Sequence, residues 1–97
     1  MALPVELDPR AEEEARAAVL WYRERSERAA AAFERELEAA IEQIGESPAT
    51  FPVANGALRR FLLHRFPYGI FYAIGPNSVR VIAVAHLHRK PGYWRGR

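Results

Sequence analysis

All twelve carboxylates of this 97-residue chain lie at or before Glu46, and the remainder is purely cationic. Residues 1–50 hold six arginines against those twelve Asp and Glu, a formal −6; residues 51–97 hold seven arginines and Lys90 against none, a formal +8. Residue patterning divides at the same place. Apolar residues recur every three or four positions in the acidic half, whereas the basic half is rich in Phe, Tyr, Ile and Val and alternates. The chain is therefore expected to place an acidic helical layer against a basic sheet. Such segregation has two physical uses: the halves neutralise one another, or the basic half faces an anionic partner.

At this length, with 49% hydrophobic residues, a single domain spanning 1–97 with one modest core is expected. There is no cysteine, which excludes disulfides and thiolate metal sites and suits a reducing cytoplasm. No apolar run approaches the roughly 20 residues of a spanning helix, and the first residues carry acidic groups where a secretion signal would carry basic ones.

Leu3, Val5 and Leu7 alternate with polar residues and Pro4, a pattern for a short edge strand. Asp8 followed by Pro9 marks a helix start, with Glu12, Glu13 and Glu14 suited to the positive end of the helix dipole. Ala11, Ala15, Ala18, Val19 and Tyr22 form a narrow stripe. Ser26 caps a second helix with a stronger stripe of Ala30, Phe33, Leu37, Ala40, Ile41 and Ile44, and Gly45 is expected to stop it. Ser47 to Gly56 reads as the crossing loop, anchored by Phe51. Strands follow at residues 58–65 and 68–74 with a break at Phe66 and Pro67. A hairpin turn at Gly75–Ser78 then leads into a last strand. In that strand Val79, Val81, Ala83, Ala85 and Leu87 are expected on one face, with Arg80, Ile82, Val84, His86 and His88 on the other. The expectation is an α+β domain, β-α-α-β-β-β, with an N-terminal helical hairpin on one face of a twisted antiparallel sheet.

Trp21-Tyr22, Phe33, Glu36-Leu37-Glu38, Ala40-Ile41, Ile44, Pro48, Phe51-Pro52, Arg60, Arg65-Phe66-Pro67-Tyr68, Ile70, Tyr72, Ala83-Val84, His86, Arg89 and Gly92-Tyr93-Trp94 follow one another in an order that resembles the RelE/ParE superfamily of bacterial toxins. The resemblance runs from about Leu7 to Trp94. It implies the same α+β fold and the toxin half of a type II toxin-antitoxin pair, held inactive by a cognate antitoxin protein. It implies one of two targets. RelE-like members are endoribonucleases, mRNA interferases that cut messenger on the ribosome; ParE-like members inhibit DNA gyrase without comparable chemistry. RelE-like members often carry lysines on or before the second strand, whereas the one lysine here is Lys90.

Ribonuclease chemistry by attack of a 2′-hydroxyl requires a proton acceptor, a proton donor and cations around the phosphorane-like charge. In a half without carboxylates the acceptor falls to histidine. His86 and His88 are the candidates, with neighbouring arginines holding their pKa values down. Arg60, Arg65 and Arg89 are candidate phosphate clamps and Tyr93 a candidate base-stacking residue; Arg59, Lys90 and Arg95 join Arg60 and Arg65 in an expected nucleic-acid-binding face. The bland readings are also specific: His86 as a half-buried strand histidine, Arg59 and Arg60 as guards of an edge strand, and Tyr93 and Trp94 as aromatics covering the core. No cofactor is implied, and His64 with the H-x-H pair lacks a fourth ligand and an acidic second shell, so no metal site is expected. On these residues the messenger-cutting reading is placed first and gyrase inhibition second.

Overall fold

The computed structural model describes residues 2–89 and 91–97. A short strand β1 (Val5–Leu7) leads through Asp8 into helix α1 (Pro9–Arg23), and Ser26 opens helix α2 (Glu27–Glu46). The two expected caps are formed. The Asp8 carboxylate accepts the Arg10 N–H at 2.9 Å, and the Ser26 hydroxyl accepts the Ala29 N–H at 3.1 Å. Asp8 also accepts from the Arg10 side chain at 3.1 Å and from Arg80 at 3.3 Å. These bonds, the Arg10 side chain foremost, lower its pKa from 3.8 to about 2.

Gly45 does not stop α2 but lies inside its last turn. The reason is close approach of another segment: a Cβ there would lie 2.9 Å from the Leu3 carbonyl oxygen, and Leu3 donates its N–H to the Gly45 carbonyl at 2.9 Å. Only glycine lets the entry to β1 run this near the helix.

After one 3-10 turn (Pro48–Thr50) come β2 (Val53–Asn55), β3 (Leu58–Leu62), β4 (Tyr68–Ile74) and β5 (Val79–His86). The five strands form one sheet in the order β1-β5-β4-β3-β2. The expected α+β class holds, with two differences in the sheet. It is mixed, because β1 runs parallel to β5 through Val5–Val79 and Leu7–Val81, while the other pairings are antiparallel. The segment expected as pure loop also contributes the edge strand β2, paired to β3 through Val53–Arg59 and Asn55–Leu58.

The strict alternation expected in β5 fails at one residue. Val81 faces Tyr72 and Ala83 faces Phe71, so Ile82 is an extra residue, a β-bulge. The bulge exchanges the faces. Val79, Val81 and Val84 join the core beneath the hairpin, whereas Ala83 and Ala85 pack with Phe71 on the far face, where Trp94 covers them.

Both helical stripes and one face of the sheet supply the main core: Ala11 and Ala18 from α1, Phe33, Leu37, Ala40 and Ile44 from α2, and Tyr68, Ile70 and Tyr72 from β4. At its centre Phe33, fully buried, meets Tyr22, Phe66 and Tyr68 at centroid distances of 5.4, 5.2 and 5.2 Å. Phe51 seats its ring 4.8 Å from Phe61, as expected for the loop anchor. Among the described residues no helix is long and apolar enough to cross a membrane. Truncation of Phe33 to alanine is expected to cost about 3–5 kcal/mol, visible as a lower urea midpoint with little change in slope.

Candidate functional site

The chain leaves β5 at His86, turns at Leu87–Arg89 and folds back across the sheet, so the basic, aromatic tail lies against elements already in place. One residue of α1 fixes it there. Glu14 accepts the Val84 N–H at 3.0 Å, both terminal guanidinium nitrogens of Arg97 at 3.0 and 3.2 Å, and the Tyr93 hydroxyl. Arg97 also donates to the Ile82 carbonyl at 3.2 Å. β1 pairs with β5 only as far as Val81, so the Ile82 carbonyl and Val84 N–H lie beyond the ladder, and Arg97 and Glu14 satisfy them. Burial, with the Glu14 hydrogen bond next in size, raises the Tyr93 phenol well above its ordinary pKa. In sequence Glu14 is one of three consecutive glutamates at a helix start; nothing local marks it as a hub.

Hollows flank the end of β5, and two of them matter here. One, of about 550 Å³, runs between α1 and β5 over Ala17, Ala18, Tyr68 and Val84, with Trp21 and Arg89 on its rim. Trp21 is 45% exposed and carries the Arg25 guanidinium 3.7 Å above its ring. Residue patterning gave Trp21 no role in a site; exposure of a large ring beside a groove is evident only in the fold. The other, of about 260 Å³, lies on the far face of the sheet, bounded by Arg60, Phe71, Leu87, Arg89, Trp94 and Arg95. His86 and Arg89 border both, and stand where they meet.

The sequence-derived site residues divide sharply. His86 lies at the bulge-shifted end of β5, its ring edge-on to Tyr68 at 5.0 Å and 5.5 Å from the ring of His88. Its Nδ1 accepts the backbone N–H of His88 at 3.1 Å, which makes Nε2 the protonated nitrogen of the neutral ring. Burial first, then the charges of Arg89 and His88, lower its pKa below 6.5. Arg89 is beside it. Tyr93 is bound through its hydroxyl to Glu14, with the residue still 39% exposed.

Arg65 belongs elsewhere. It sits in the β3–β4 turn, 3.6 Å from Glu36, whose carboxylate also accepts the backbone N–H groups of His64 and Arg65. Arg59 is equally committed, donating to the carbonyls of Ala49 and Phe51 at 3.2 and 2.7 Å and so holding the loop before β2. Trp94 stacks on Phe71 at 4.1 Å, the covering role expected of it. Lys90 lies outside the described residues. Among the described residues no cluster of three or more metal-ligating side chains occurs.

The expectation of one continuous positive surface is thereby corrected. Arg65, Arg80 and Arg97 are paired with Glu36, Asp8 and Glu14 of the acidic half. Among the described residues of the basic half, Arg59, Arg60, Arg89 and Arg95 make no ion pair; Arg59 is spent on carbonyls, and the other three border the far-face hollow.

A helical hairpin over one face of this strand order, with a basic tail folded across the end of β5, is the architecture of a RelE/ParE-superfamily toxin. The family model described as the ParE toxin of the type II toxin-antitoxin system parDE matches residues 5–91, and the chain belongs to that family. Among solved structures it is similar to a chain of the chromosomal ParDE toxin-antitoxin system from P. aeruginosa, with a TM-score of 0.73 and 16% identity, covering 89% of this chain and 97% of that one. At that identity the likeness is one of fold. No curated protein sequence matches the chain.

Glu14→Gln is expected to loosen the tail and cost about 1–3 kcal/mol by weakening the partners of Arg97, Tyr93 and the Val84 amide, with hydrogen exchange at Val84 accelerated. The His86 ring is expected to titrate below 6.5 by NMR, with Nε2 protonated in the neutral form. Because its folded pKa is the lower one, the stability held by the neutral ring is complete above 6.5 and is lost as pH falls through the folded value.

Proposed function

We propose that this ParE-family chain is a toxin that acts by binding DNA gyrase, and that a cognate antitoxin protein holds it inactive. Family membership supports the toxin-antitoxin context, and ParE-type toxins are usually directed at gyrase. The observation that carries the choice of a binding mechanism is the state of His86. A general base needs an accessible lone pair, and the one basic nitrogen of its neutral ring is occupied by the His88 amide at 3.1 Å. The free nitrogen, Nε2, bears a proton and donates.

Two of the other groups that messenger cleavage would recruit are also committed. Arg65 is held by Glu36, and Tyr93 by Glu14. A phenol with a raised pKa bound to a carboxylate is a poor proton donor to a leaving oxygen. What remains, beside the exposed His88 ring, is a set of unpaired guanidiniums, suited to recognition without bond-breaking. Leu20 and Trp21, 52% and 45% exposed at the end of α1, give an amphipathic antitoxin segment apolar surface to cover.

Purified wild-type protein is expected to inhibit supercoiling by purified gyrase, with relief on adding antitoxin. In a coupled translation reaction, primer extension is expected to map no new messenger ends. Full supercoiling at excess toxin, or cleavage that disappears in His86→Ala, would overturn the proposal.

A further inference from the structure

Arg60, Arg89 and Arg95 converge although they come from distant parts of the chain. Arg60 lies on β3 opposite Phe71 of β4, and so on the far face of the sheet from the hairpin. Arg89 follows the end of β5. Arg95 folds back across Gly92, where φ is +78° and a Cβ would stand 3.0 Å from the arginine Nε. Glycine is required there both for the backbone and for the guanidinium's path. Among the described residues no carboxylate borders the resulting hollow, since those that pair with Arg65, Arg80 and Arg97 belong to β1's exit and the helices.

Beside the cations the same face is apolar. Phe71, Ala83 and Ala85 form its floor with Trp94 laid over them, while Leu62 and Leu87 are 44% and 42% exposed. Gly69 lies beneath this leucine pair, its Cβ position 3.2 Å from Leu87 and 3.3 Å from Leu62. The surface thus offers a small apolar contact rimmed by three unpaired positive charges.

We propose that this far-face hollow is the surface through which the toxin grips its target, and that it takes an acidic protein segment: carboxylates paired to Arg60, Arg89 and Arg95, with an apolar side chain set against Leu62 and Leu87. The inference rests on the reading of gyrase as target and adds the place and chemistry of contact. A nucleic-acid backbone fits less well. Non-specific duplex binding draws its strength from about 6–10 phosphate contacts, whereas this hollow gathers three guanidiniums. Its aromatics are also partly spent, because Trp94 and Phe71 are stacked on one another. Carboxylates with an apolar anchor use both halves of the surface.

The experiment compares wild type with the double variants Arg60→Glu, Arg89→Glu and Arg60→Gln, Arg89→Gln, each first checked for unchanged circular dichroism and antitoxin binding. In the gyrase supercoiling assay the charge reversal is expected to weaken inhibition by about tenfold or more, with the neutral pair between it and wild type. Leu87→Ser is expected to weaken it while leaving its salt dependence unchanged. Equal inhibition by wild type and both double variants would overturn this inference and leave the gyrase reading intact. Failure of wild type itself to inhibit or bind gyrase would remove both. A mobility-shift arm with linear duplex DNA alone separates the last case: retardation by wild type that the variants lose would assign the hollow to phosphate and overturn the acidic-protein occupant.

Discussion

The β-bulge at Ile82 is the constraint on which the arrangement of this molecule depends, because one extra residue in β5 decides what each face of the sheet presents from there onward. Before it, Val79 and Val81 seal the core; after it, Val84 and His86 take over that side and the small residues Ala83 and Ala85 turn outward. Small residues on the far face leave room for Trp94 to lie flat against Phe71, and that stacking brings the tail back across the sheet. The strand also outruns its parallel neighbour at this point. The polar backbone groups left beyond the ladder are those that Glu14 and Arg97 satisfy.

Charge segregation along the chain is resolved in space by partial cancellation. Asp8, Glu14 and Glu36 each reach one arginine of the basic half, and each bond joins elements that the core also joins. These contacts lie at two ends of the sheet and along α1. Of the arginines without an ion pair among the described residues of the basic half, Arg60, Arg89 and Arg95 border the hollow on the face that the helices do not cover. Arg59 is spent on the carbonyls of Ala49 and Phe51. An acidic hairpin on one side and a cationic hollow on the other give the toxin two chemically different surfaces. Inhibition by an antitoxin and engagement of a target need not then compete for one set of contacts.

What the sequence disclosed, and what it withheld, follows from the range of the interactions. Asp8-Pro9 and Ser26 mark helix starts because a cap is a bond between neighbours two or three residues apart, and both formed. The stripes of α1 and α2 were legible for the same reason: a single periodicity decides them. The bulge was not, since it arises from the register of β5 against β4 and leaves no mark in the composition of β5. Arg65 and Arg97 looked like free cations because their carboxylates, Glu36 and Glu14, lie far away in sequence. His86 was rightly placed near Arg89, but the bond that fixes its tautomer comes from a backbone amide two residues on, which residue type cannot announce.

The pairing of Val5 with Val79 has a bearing on how the protein is made. β5 is the second strand from the edge of the sheet, flanked by β1 and β4, yet it is synthesised long after β1, its parallel partner. Until it emerges, β1 has no neighbour, and the apolar stripes of both helices have only part of the sheet to rest on. High sequence separation of this kind slows folding and prolongs exposure of apolar surface. The far-face hollow therefore forms only once β5, the strand that frames it, is complete.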